Sequence, residues 1–274
     1  MLLGMFIFAC MDATTKYLSQ SYAITQIVWV RYMFFAVFAL FMARAALRSS
    51  FRSRRPLLQV IRALLLVCEM SAFILAFRYM PLADVHAIAA ASPLIVTALS
   101  VPLLGERVGL RQWIAVLVGL VGVLIIVRPG FATFHWSILV AVAGALLWGF
   151  YQIQLRVVAR HDRPQTTIIY SAFVGLAATS VTGPLDWRAP DLEGWTLLFA
   201  AGVMGALAHF CVTRALDLAP AALLQPYSYA LLVAAAIVGF IVFGQFPDQW
   251  TILGALIVTG SGIYAWHSER SGRA

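Results

Sequence analysis

Charge is scarce in this sequence. Aspartate, glutamate, lysine and arginine make up 11% of its 274 residues, against 62% hydrophobic residues and a mean hydropathy of +0.91. Soluble domains carry roughly 25% charged residues, so a soluble globular fold is excluded: such a chain cannot cover its own apolar surface in water. Cysteine is equally sparse. Cys10, Cys68 and Cys211 are odd in number, far apart and set in apolar runs, where free cysteine behaves as a small hydrophobe, so no disulfide framework or metal site follows. Enzyme motifs are missing too: there is no His-Glu-x-x-His, no Gly-x-Ser-x-Gly and no Gly-rich phosphate loop. A membrane-embedded enzyme is therefore a weak reading. So is a channel, for want of a polar filter or a ring of charge, and so is an ATP-driven pump, because no nucleotide-binding domain is encoded.

What the chain has in abundance is long apolar runs. A helix needs about 20 apolar residues to cross the ~30 Å hydrocarbon core, and runs of this kind fall near 2–19, 25–46, 57–79, 81–103, 109–127, 134–157, 165–184, 195–215, 219–243 and 248–267. They are too long and continuous for barrel strands, which alternate over ~10 residues. The first lacks a basic start and carries Asp12 and Lys16 where a cleavage site would fall, so it is expected to be a retained span and not a signal peptide. The formal charge of +8 gathers on alternate connections. Arg44, Arg48, Arg52, Arg54, Arg55, Arg107, Arg111, Arg156, Arg160, Arg163, Arg214, Arg270 and Arg273 share one side, and Lys16, Arg78, Arg128 and Arg188 the other. By the positive-inside rule both termini are expected in the cytoplasm. Trp29, Trp113, Trp136, Trp187, Trp195, Trp250 and Trp266 fall near span ends, as an interfacial belt requires.

Laying residue n against n+139 matches Pro81 with Pro220, Ala83 with Ala222, Ala91 with Ala230 and Gly105 with Gly244. In each half the fourth span starts at a proline, holds another (Pro93, Pro226) and ends in a glycine turn. An interior proline frees a backbone carbonyl and kinks a helix. Five spans per half is odd, so the second half enters from the opposite side, and the repeats, 1–130 and 131–274, are inverted. The expected fold is all-α and integral to the membrane, with ten transmembrane helices in two inverted five-helix repeats around a central cavity. Matched interrupted spans point to a substrate site near the midplane.

Asp12-Ala13-Thr14-Thr15-Lys16, Arg31-Tyr32, Pro81-Leu82-Ala83-Asp84, Ser92-Pro93-Leu94, Leu104-Gly105-Glu106-Arg107 and the Gly119, Gly122 spacing together resemble the EamA-like transporters of the drug/metabolite transporter superfamily, over nearly the whole chain. The sequence departs from that pattern at Gly244-Gln245, where a second Gly-Glu would be usual. The resemblance implies a secondary transporter of the bacterial inner membrane that exports small organic metabolites, amino acids including aromatic ones among them, by alternating access; a multidrug or other metabolite exporter is the alternative. It implies no cofactor. The expected partners are a small-molecule substrate and the lipid bilayer, with no nucleic acid, and a monomer with a dimer as the alternative.

Ionisable groups inside spans mark pathways or paired sites. Asp12, Lys16 and Arg31 lie at similar depth by helical rise and are expected to form one charge cluster, acting either as a structural ion pair or as a gate. Glu69 sits mid-span with no basic residue evidently level with it; it would take up a proton or a substrate amine, or be a hydrogen-bonded carboxylic acid. His86 and His209 are candidate ligands for substrate, with plain structural hydrogen bonding as the alternative, and Asp84 is expected to be solvated. Phe73, Phe77, Trp148, Tyr151, Gln152, Gln225 and Tyr229 are candidates for lining the cavity, where aromatic faces would suit a flat solute with a polar handle; packing is the other reading. Pro93 and Pro226 are the candidate hinges.

Overall fold

The computed structural model describes residues 1–43, 51–106, 108–128, 135–218 and 224–271. Arg44, Arg48, Arg107, Pro129, Gly130, Pro220, Ala222 and Arg273 lie outside them, as do the side chains of Gln225, Pro226 and Arg270. The described residues fold into helices α1 (Leu2–Ser21), α2 (Ile24–Ala43), α3 (Pro56–Tyr79), α4 (Leu82–Ala89), α5 (Ser92–Leu104), α6 (Leu110–Val127), α7 (Ser137–Ala159), α8 (Pro164–Thr182), α9 (Leu192–Leu218), a 3₁₀ turn (Gln225–Tyr229), α10 (Ala230–Phe243) and α11 (Gln249–Ser271), with no strand among them. Six helical segments are long and apolar enough to cross a membrane: Ile24–Phe41, Pro56–Tyr79, Leu82–Leu104, Leu110–Val127, Ser137–Ala159 and Leu192–Val212. The remaining helices are shorter, or dilute their apolar run with residues such as Asp12 and Lys16 in α1 and the threonines of α8.

Local chemistry sets the helix ends. Pro56 and Pro164 open α3 and α8 at their first position, where a missing N–H costs nothing. Gly105 and Gly244 close α5 and α10 in the left-handed conformation, φ 67° and 65°, which glycine adopts without penalty. Both make the same pair of closing bonds: Gly105 N–H donates to Val101 and Glu106 N–H to Ser100, while Gly244 N–H donates to Phe240 and Gln245 N–H to Gly239.

The fourth apolar run does not bend where the sequence suggested. It is divided at Ala90-Ala91 into α4 and α5, and Pro93 occupies the first turn of α5 instead of the interior of a helix. The physical reason lies next door. The carbonyl of Ala89, which the ring of Pro93 cannot serve, accepts the Ser92 hydroxyl at 2.5 Å, so the chain pays little for starting a new helix there. Pro93 itself is exposed.

The helices run between two ends, named here for Lys16 and Arg156. The tightest crossing joins α6 to α11 through small residues, which let backbones approach without a hydrophobic drive from water. A Cβ on Gly122 would stand 2.9 Å from the Gly254 carbonyl oxygen and 2.9 Å from Val258 Cγ2. Gly119 closes on Leu94 and Ser261, and Gly202 on Phe34. At the Lys16 end Trp29, Trp187 and Trp195 form a chain of ring contacts at 5.7 and 6.1 Å. A hollow of about 540 Å³ opens there between Gln20, Tyr22, Arg78, Trp187 and Arg188.

At the Arg156 end the loop residue Asp162 ties two connections together. It accepts from Ser53 Oγ at 2.5 Å, Arg54 N–H at 2.8 Å and Gln59 Nε2 at 2.9 Å. Partial burial works to raise its pKa, but these donors outweigh it and hold the carboxyl below its ordinary value.

Two outcomes follow. Gly122→Leu overpacks the α6–α11 crossing and lowers the melting temperature in detergent by roughly 2–10 °C, from ~1–3 kcal/mol of strain; Gly260→Ala, where a Cβ meets open space, leaves it unchanged. Because its folded pKa is depressed, Asp162 stabilises above its unfolded value of about 4 and that contribution disappears as pH falls through the folded one. Native protein therefore loses more melting temperature between pH 5 and 3 than Asp162→Asn does.

Candidate functional site

One face of α3 carries, from the Arg156 end upward, Arg62, Glu69, Phe73 and Phe77, spaced by the seven- and four-residue steps that keep side chains in one row. Opposite runs α7, antiparallel, and its register is fixed by Gly144: a Cβ there would lie 3.4 Å from the Phe73 ring. Counting outward from that contact puts Trp148 level with Glu69, and Tyr151 between Glu69 and Arg62. The Trp148 and Tyr151 rings stack with centroids 5.1 Å apart and 22° between planes, and Phe73 and Phe77 stack at 6.3 Å and 23°. Glu69, Phe73, Trp148 and Tyr151 are half-buried. They stand at similar levels on α3 and α7, and each keeps part of its surface accessible.

The charges are arranged differently from expectation. Asp12, Lys16 and Arg31 do not form one cluster, although Asp12 and Lys16 are one turn apart. Asp12 Oδ2 meets His86 Nε2 at 3.2 Å, an electrostatic contact off the line of a hydrogen bond, with both residues 9% exposed. Arg31 touches Thr15 Oγ1 at 3.5 Å and Met11 Sδ at 3.3 Å, and lies within electrostatic reach of both Asp12 and Glu69. Glu69 therefore does have a basic group level with it. That neighbour, Arg31, comes from α2, and the lateral order of helices is not written in the depth of a residue along its own span. His86 also stands 5.4 Å from the Phe77 ring, which joins the charged group to the aromatic wall.

Lys16 turns the other way, toward its own end of the bundle. Only 4% exposed, its ammonium donates to the Met80 carbonyl at 2.5 Å and to Gln245 Oε1 at 2.7 Å, and lies 5.1 Å from the centre of the Phe243 ring. One side chain on α1 thus holds the α3–α4 and α10–α11 turns together. At the opposite end Arg156 of α7 meets Glu106, just past the glycine that closes α5, at 3.7 Å. Asp84, expected in solvent, is half-buried with an oxygen lacking a partner, within electrostatic reach of Lys16, Arg128 and Asp248.

The remaining candidates are more dispersed. His209 exposes much of its surface and packs edge-on against Phe8 at 5.0 Å. Tyr229 is half-buried with its hydroxyl against Gly262 of α11. Gln152 is half-buried beside Tyr151, whereas the side chains of Gln225 and Pro226 lie outside the described residues. Sequence reasoning missed Arg62 and Met80, and read Gln245 only as a departure from the family pattern. Arg62 is fully buried, and a lone arginine inside an apolar run was the available signal. Among the described residues no group of three His, Cys, Asp or Glu could hold a metal ion. What the arrangement can do chemically is grip a flat ring between aromatic walls and offer carboxylates and guanidinia to its polar substituents.

A family model described as "EamA-like transporter family" matches residues 1–128 and again 135–264. A protein named riboflavin transporter in Vibrio cholerae is 29% identical, over 97% of this chain and 92% of its own. An S-adenosylmethionine uptake transporter of Rickettsia bellii is 26% identical over 94% and 89%, and a pseudopaline exporter of Pseudomonas aeruginosa 28% identical over 93% and 90%. A solved crystal structure of 18% identity shares the fold, with a TM-score of 0.67 over 99% of this chain and 98% of that one. The chain belongs to the EamA-like transporter family, as a multi-pass membrane transporter of metabolites and not an enzyme.

Proposed function

We propose that this chain is a secondary transporter of the bacterial inner membrane, built from ten spans in two inverted repeats, 1–130 and 131–274, which carries a ring-bearing organic metabolite by alternating access. The observation that carries this reading is the match between two interrupted spans. An offset of 139 residues takes Ala90, at the division of α4 from α5, to Tyr229, at the end of the 3₁₀ turn; it takes 92–104 of α5 to 231–243 of α10, and left-handed Gly105 to left-handed Gly244. Helix contacts exchange in the same way. α3 packs on α7 as α9 packs on α1, and α3 on α8 as α9 on α2, while α2 with α8 and α6 with α11 are pairs that map onto themselves. A two-fold axis in the membrane plane generates this pattern.

In this reading Glu69, Phe73, Phe77, His86, Trp148 and Tyr151 hold the substrate, with His209, Gln152, Gln225 and Tyr229 on the far wall, while Pro93 and Pro226 mark the hinges. Lys16 with Gln245, and Arg156 with Glu106, are the two gates, and Asp12 and Arg31 keep the charge of the site balanced as they open. The arginine-rich Arg156 end is cytoplasmic, and so are both termini. One copy holds the whole site, with substrate and lipid as its partners.

The relatives' names widen the cargo. Amino-acid export, expected from the sequence, draws no support from them. Riboflavin and S-adenosylmethionine each join a planar nitrogen heterocycle to a polar chain, which suits aromatic walls flanked by charge. The same names include both uptake and export, and a carrier of this type runs down the gradient of its cargo in either direction.

Reconstitution into liposomes with labelled riboflavin, S-adenosylmethionine and aromatic amino acids tests the reading. Uptake above empty vesicles is expected for at least one ring-bearing solute, and none across the panel would contradict transport of this class. Trp148→Ala raises KM about tenfold through lost stacking, and His86→Ala slows turnover in protein that still folds. Gln245→Glu gives Lys16 an anionic partner in a buried site, so it closes the Lys16 end more firmly. Maleimide labelling of a cysteine at position 73 from that side then falls severalfold, and equal labelling would remove Gln245 from the gate.

A further inference from the structure

Arg62 is the largest fully buried side chain among the described residues. Its side chain is fully buried, yet among the described residues no carboxylate lies within 4 Å of it. Its Nε donates to Gln59 Oε1 at 3.2 Å, and Nη2 donates to the Thr167 carbonyl at 2.9 Å and to Ser171 Oγ at 2.7 Å. These three bonds go to neutral acceptors and fix the plane of the guanidinium against α8. Nη1, the remaining corner of the fork, makes no well-aligned hydrogen bond among the described residues, and the polar group that interacts with the guanidinium on this open side is the Tyr151 hydroxyl. A guanidinium in the low-dielectric interior is costly unless a counter-charge sits beside it, and the described residues supply none within 4 Å.

The side of Arg62 left open is covered by Tyr151, whose ring centre lies 5.4 Å from the guanidinium carbon. Tyr151 is half-buried and stacked on Trp148, so it belongs to the wall of the candidate site. It stands between Arg62 and Glu69 and interacts with both. The two charges share one face of α3, seven residues and so about 10 Å apart along the axis. A ring seated beside Trp148 has Glu69 level with it and Arg62 one side chain beyond, screened only by the phenol of Tyr151.

Resting on the proposed transport function, we infer that Arg62 is the receptor for an oxyanion on the cargo, a carboxylate or a phosphate, which reaches Nη1 when the Tyr151 ring turns aside. The site then favours zwitterionic or anionic ring compounds whose charged groups are spread along the molecule. In a free amino acid the ammonium and carboxylate sit on one carbon, too close to reach Glu69 and Arg62 together.

Equilibrium binding to the purified full-length protein in nanodiscs tests this with two matched pairs. S-adenosylmethionine against its decarboxylated form reads a carboxylate, and riboflavin 5′-phosphate against riboflavin reads a phosphate. The expected result is that, in at least one pair, the member bearing the oxyanion binds native protein about tenfold more tightly or better, as charge-assisted bonds to arginine imply. Arg62→Gln brings that ratio close to one. Arg62→Met, whose apolar chain fills a similar volume, is the second neutral variant and does the same, so the result stands if only one of the two folds. Equal affinity within both pairs for native protein, or a preference that survives in both variants, overturns the anion site while leaving the transport reading intact. Binding of no member of either pair contradicts the ring-bearing cargo itself and this site with it.

Discussion

An ionisable side chain cannot be left facing hydrocarbon, where its charge costs several kcal/mol, and a chain this poor in charge has few partners to offer. The fold follows from how that constraint is met. Asp12, Arg31, Arg62, Glu69 and His86 turn to the inside of the bundle and are shared between helices from different parts of the sequence. Lys16 reaches a carbonyl and an amide at the turns. The exposed faces of α6, α10 and α11 are left almost wholly aliphatic and aromatic, as with Leu117, Val121, Ile241 and Leu256.

In the proposed reading that inward turning produces a site as well as stability. Charges gathered in the middle of a membrane are held in a low dielectric, where each pairing is stronger and each unpaired group dearer. Glu69 lies near Arg31 and Asp12 beside His86, whereas Arg62 has no carboxylate beside it among the described residues. Between them stand rings in two stacked pairs. A solute that brings a flat face and charges of its own replaces water with partners the protein lacks.

The apolar runs were long enough to read most helices to within a few residues, because a hydrocarbon slab permits few alternatives to a helix, whereas the division of the fourth run into α4 and α5 and the 3₁₀ turn in the ninth were not legible. The 139-residue match of Gly105 with Gly244 was legible for a related reason: a left-handed helix cap admits little but glycine. The interior was harder. The i, i+4 spacing of Asp12 and Lys16 pointed to a shared cluster, but long side chains on one turn can leave in opposite directions, one to His86 and one to Gln245. Glu69 was judged alone because its neighbour Arg31 comes from another span. Pro93 was read as an interior kink, and whether a proline bends a helix or begins one depends on where the helix starts, here decided by Ser92 taking the Ala89 carbonyl. The loss of an acid at Gln245 looked like a simple departure; its meaning is the neutral bond to Lys16, visible only once α1 and α10 are brought together.

The central claim is that two similar halves lie inverted about a shared crevice and close its ends in turn. Pulsed electron-spin distances in nanodiscs address it directly, with one pair of spin labels flanking the Lys16 end, at Tyr17 and Phe246, and another flanking the Arg156 end, at Leu103 and Ala159. On addition of a transported solute the account predicts opposite changes, one distance lengthening as the other shortens. Two distances that rise and fall together, or that never move while solute is being carried, would contradict it.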